Sequence, residues 1–157
     1  MKAASISDIK TDLKTKSVTQ LTELCLRLGR FKKENKELLT YLLFEADDVE
    51  TYINNVKEEM DVNFAEVNIS NNYFAKKSLR KILRIANKHI KYTGSKEAEA
   101  SLLLHFCTGF KGLKLPTHKN TALTNLYNGQ VKKVEAAIAA MHEDLQHDYL
   151  GELTRLK

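Results

Sequence analysis

A single proline, Pro116, interrupts 157 residues, and no stretch alternates apolar and polar side chains as a half-buried strand does. Leu, Lys, Glu and Ala are plentiful, which favours helices throughout. The sequence therefore predicts an all-α protein: a single domain over 1–157, with about six or seven helices forming an irregular bundle or a short HEAT-like superhelix. The chain is long enough to bury a core of its own.

Taken in order, Ile9 and Leu13 predict a short first helix capped by Ser7, with Asp8 in its first turn. Ser17 and Gln20 form a capping-box pattern ahead of Leu21, Leu24, Cys25 and Leu28, and Gly29 is the expected stop. Arg30–Lys36 reads as a charged, flexible connection. A third helix carries Leu38, Leu39, Leu42, Leu43 and Phe44, a broad apolar face expected to be well buried. Asp47 and Asp48 cap a fourth, acidic helix whose inward face is Val49, Tyr52, Ile53, Val56, Met60 and Phe64. Beyond the polar turn at Asn68–Asn72 comes Tyr73–Thr93, closed by Gly94. Ser95 then caps a helix that runs to Gly109, with Ala98, Leu102, Leu103, Phe106 and Cys107 on its core side. Phe110–Asn120 reads as the one long loop. The last helix is expected to continue unbroken from Thr121 to about Leu150, with Tyr127, Val131, Val134, Ile138, Met141 and Leu145 forming a near-heptad seam.

Tyr73–Thr93 has the clearest division of faces. At about 100° per residue, Leu79, Ile82, Leu83, Ala86 and Ile90 gather on one side, and Lys77, Lys81, Arg84, Lys88 and Lys91 on the other. No acidic residue lies between Glu66 and Glu97. The charge is strongly segregated: residues 1–66 carry a net −3, residues 67–134 a net +11 and residues 135–157 a net −3. Blocks of this kind create a local field, unless neighbouring acidic segments neutralise it.

The start, Met1–Lys14, lacks the apolar core of a signal peptide, and no run is long enough to span a membrane, so a cytoplasmic protein with no membrane partner is expected. Cys25 and Cys107 form no CxxC pair and read as buried, reduced thiols. In an unbroken helix, His142 and His147 stand i,i+5 and point about 140° apart, so they do not ligate one metal ion as an HExxH pair does. His105 and Cys107 diverge in the same way. Gly109–Lys114 lacks the phosphate-loop pattern. No enzyme, metal or cofactor is expected.

Ser17–Leu43 is similar to the SAP-type DNA-binding module in Leu21, Glu23, Leu24 and Gly29, followed by Lys36, Glu37, Leu38 and Leu42. It departs from that module at its second glycine, where Asn35 is the nearest substitute, and in the spacing to Glu37. The resemblance covers under a fifth of the chain and implies contact with DNA. The functional expectation rests mainly on the central helix, whose Lys77, Arg80, Lys81, Arg84, Lys88 and Lys91 suit a phosphate backbone. Tyr73, Phe74 and Tyr92 stand at its ends for base stacking, and Lys111, Lys114 and Lys119 extend the patch. The alternative is a protein-interaction or assembly module, including a homodimer through the seam of the last helix, with no nucleic-acid role. A cationic face that is merely solvated, or paired with the acidic helix before it, is the plainer reading.

Overall fold

The computed structural model describes residues 1–156. Among them there are eight α-helices, one π-helical turn, one short 3-10 turn and no strand, so the all-α class holds. The helices are α1 Ile6–Leu13, α2 Val18–Phe31, α3 Lys33–Thr40, α4 Val49–Ala65, α5 Asn72–Thr93, α6 Lys96–Gly112, α7 Thr121–Ala139 and α8 Glu143–Leu156. Internal contacts group the chain into two compact units, residues 1–44 and the chain from Glu45 onward.

In the first unit, capping boxes start α1 at Ser5, two residues before the expected Ser7, and α2 at Ser17. The expected flexible connection is helical. Residues Arg30 and Phe31 end α2, Lys32 is extended, and α3 begins at Lys33. Gly29 is therefore not a stop: it lies inside α2, where an added Cβ would come within 2.9 Å of Leu39 Cδ1 on α3. A larger correction concerns burial. Helices α1, α2 and α3 bury no residue, and Leu42, Leu43 and Phe44 in the π turn Tyr41–Glu45 are 55%, 67% and 76% exposed. Periodicity showed which side of each helix is apolar; it did not supply a partner for that side.

The second unit is a bundle built around α6, which packs against α4, α5, α7 and α8. Eight of its residues are buried, from Ala98 to Phe110, including Ala100 and Leu104 outside the expected core set. A helix apolar on nearly all sides belongs in the centre. It extends past Gly109 because that glycine faces the Phe64 ring, within 2.5 Å of where a Cβ would stand. The expected loop is correspondingly shorter, and Lys111 and Gly112 are helical. Asp48, Asn71, Ser95 and Asn120 cap α4, α5, α6 and α7. Gly94 closes α5 at φ 61°, a left-handed geometry that glycine adopts without strain.

The expected long last helix is broken at Ala140–His142. Met141 N–H bonds back to Ile138 O at 3.0 Å, and the His142 ring accepts from the Asp144 N–H at 3.3 Å, starting α8. A straight helix of some 30 residues reaches about 45 Å, which would carry its second half past the bundle. The break returns α8 to α6 and α7, burying Leu153 and Leu156, and Tyr127 Oη donates to Leu156 O at 3.0 Å. The seam is consumed inside this unit: Val134 and Ile138 are buried, while Leu145 is 39% exposed.

Candidate nucleic-acid interface

Helix α5 turns Ala75, Leu79, Ile82, Leu83 and Ala86 into the core. At 3.6 residues per turn, Lys77, Arg80, Lys81, Arg84, Lys88 and Lys91 then fall within an arc of about 100° on the opposite side. Lys77, Arg80, Lys81, Arg84 and Lys91 are exposed, and Lys88 is half-buried. From Lys77 to Lys91 the cations run about 21 Å along the axis. Tyr73 and Phe74 stand at the N-terminal edge, 66% and 50% exposed, their rings 5.5 Å apart edge to face. Tyr92 is engaged otherwise: its ring lies 5.7 Å from that of His89.

Two carboxylates of α4 turn to histidines instead. Glu59 approaches His89 Nε2 at 3.7 Å, and His89 also bonds the Tyr52 hydroxyl, on the flank of α5 away from the lysines. Asp61 reaches His105 Nε2 on α6 at 2.7 Å. Among the described residues, Lys77, Arg80, Lys81, Arg84 and Lys91 make no ion pair within 4.0 Å. These histidine partners were not readable from the sequence, where the acidic helix could equally have paired with the lysines. The only available sign was the position of His89, off the cationic arc.

Lys111, Lys114 and Lys119 are all exposed. Lys111 and Lys114 line a small cavity of about 220 Å³ with Thr117, Thr124, Tyr127 and Asn128. A second cleft, of about 570 Å³ between α4, α6 and α8, is lined by Glu50, Glu97, Asp148 and Glu152 against Lys57 alone. Tyr149 donates to Glu97 Oε1 there at 3.2 Å, and burial, then the Glu97 charge, push its hydroxyl up to about 12. Such a cleft repels phosphate. Its residues come from three distant segments, so no sequence spacing announced it.

Cys107 is buried as expected, and desolvation pushes its thiol up to about 12, far from the range of a reactive nucleophile. Cys25 corrects the other half of that expectation, since it is exposed on α2. His142 and His147 do not share an unbroken helix; His142 precedes α8 and lies 3.3 Å from Asp144 Oδ2. No group of three or more potential metal ligands occurs among the described residues, and no helix among them is long and apolar enough to cross a membrane. In the SAP-like segment the two helices meet at Lys32, and the Asn35 side-chain amide donates to Leu28 O at 2.8 Å across the junction.

No protein-family model, curated protein or solved structure matches the chain.

Proposed function

We propose that the protein is a non-enzymatic nucleic-acid-binding protein that tracks the phosphate backbone along the outer face of α5. The observation that supports this most is the line of exposed cations, Lys77, Arg80, Lys81, Arg84 and Lys91, left without carboxylate partners while Glu59 and Asp61 turn to histidines. Affinity on this reading comes from counterion release and is insensitive to sequence. Tyr73 and Phe74 add stacking where the strand is single.

The test is a salt titration of binding. Five neutralised phosphates give a slope of log K against log salt of roughly −4 to −5 on duplex DNA and about −3.5 on a single strand. Replacing Lys81 and Arg84 together with glutamate is expected to weaken binding equally across sequences and to leave the melting temperature unchanged, because both point away from the core. Binding that ignores the double substitution overturns the proposal. The uncovered apolar side chains of residues 1–44 favour a second class of function, association with protein.

A further inference from the structure

Residues 1–44 leave twelve large apolar side chains uncovered, against six in the described residues from Glu45 onward. We propose that this unit pairs with a second copy of itself, α2 against α2, antiparallel about a two-fold axis, and gains the core it lacks alone. Folded segments of about 40 residues ordinarily need a disulfide, a metal ion or association. This one contains a single cysteine, Cys25, and no histidine, and no group of metal ligands occurs among the described residues. Association is the remaining means.

The geometry of α2 selects the partner. Helix α3 approaches the Gly29 side, leaving Leu24, Leu28 and Phe31 at i, i+4 and i+7, within an arc of about 60°. These three are 41%, 60% and 76% exposed. Beside that stripe, Lys16, Glu23, Leu24, Arg27 and Arg30 line one groove of about 520 Å³, and Lys16, ahead of α2, pairs with Asp12 at 3.2 Å. Within α2 the carboxylate comes first and the guanidinium groups after, and among the described residues Glu23, Arg27 and Arg30 make no ion pair. In an antiparallel two-fold pairing a flank meets its own copy in reverse. Glu23 of each copy then lies beside Arg30 of the other, Leu24 faces Phe31, and the helix dipoles oppose. An anionic lipid surface or an acidic helix satisfies the arginines but repels Glu23. Two carboxylate–guanidinium pairs thus form across the axis, against one like-charge approach of Arg27 to its own copy.

The experiment is sedimentation velocity on the full chain from low to high micromolar, independent of any nucleic acid. A dimer is expected. Leu28→Glu, at a position open to solvent in the monomer, is expected to raise the dissociation constant about tenfold or more with the circular dichroism unchanged. E23R alone is expected to weaken the dimer, and E23R combined with R30E to restore it, because the reversed charges remain complementary. A chain that stays monomeric at every concentration overturns the proposal, as does a dimer indifferent to Leu28→Glu. Singles that weaken a dimer which the double variant does not rescue overturn the antiparallel pairing. A monomer that co-sediments with vesicles of about three parts phosphatidylcholine to one of phosphatidylglycerol assigns the face to lipid instead.

Discussion

Helices α2 and α5 look alike as patterns, yet they meet opposite ends in the fold. Each carries an apolar arc opposed by charge. Helix α5 buries five side chains against its neighbours, and its cations face water. Helix α2 buries none, and its apolar stripe faces water beside its charges. Amphipathicity thus states a demand for cover, and only packing decides whether the same chain meets it. The two units are best separated by perturbing matched residues in each.

Phenylalanines give the largest contrast. Phe106 is fully buried, with ring centroids 5.8 Å from Phe64 and 6.2 Å from Phe110. Phe106→Ala is expected to cost about 3–5 kcal/mol in urea unfolding. Phe31 is 76% exposed, so Phe31→Ala is expected to change the dilute protein by less than about 0.5 kcal/mol. Equal losses would mean that Phe31 is covered even in the monomer.

Glycines sharpen the comparison at a smaller scale. A Cβ at Gly109 meets three atoms of the Phe64 ring in the core, at 2.5 to 2.8 Å. Gly109→Ala should therefore destabilise by about 1–3 kcal/mol through overpacking. A Cβ at Gly29 meets only the tip of Leu39, the far end of a half-buried, flexible side chain. Gly29→Ala should come out near neutral, the displaced leucine offset by a gain in helix propensity of up to about 1 kcal/mol. Thermal melts of the two variants check the difference.

Thiol chemistry separates the units without changing stability. In dilute native protein, the exposed Cys25 should react readily with a thiol reagent. Cys107 should react only on unfolding, since burial withholds both access and the thiolate. Two fast thiols would mean that the core around α6 opens readily.

Much of this was legible in the sequence, for identifiable reasons. The two arcs of α5 and the caps Asp48, Ser95 and Ser17 are written locally, in residues that touch their own helix, and they stand as expected. The centrality of α6 was harder to read, because Ala100 and Leu104 fall outside a single periodic stripe and matter only once four helices surround them. The break after Ala139 carries neither proline nor glycine, and Met141 and Leu145 continue the heptad spacing across it. The cationic face of α5 was legible as six residues; that Glu59 and Asp61 turn to His89 and His105 was not, because those partners lie 30 and 44 residues away.

The return of α8 onto α6 also has a meaning in time. The central helix is complete at Gly112, but one of its four covering helices ends only at Leu156. At ribosomal rates of about 5–20 residues per second, that interval lasts roughly 2 to 9 s. For those seconds the nascent bundle exposes an apolar flank beside the ribosome. This is the window in which a chaperone can hold the chain, and in which a stalled message would release a sticky fragment.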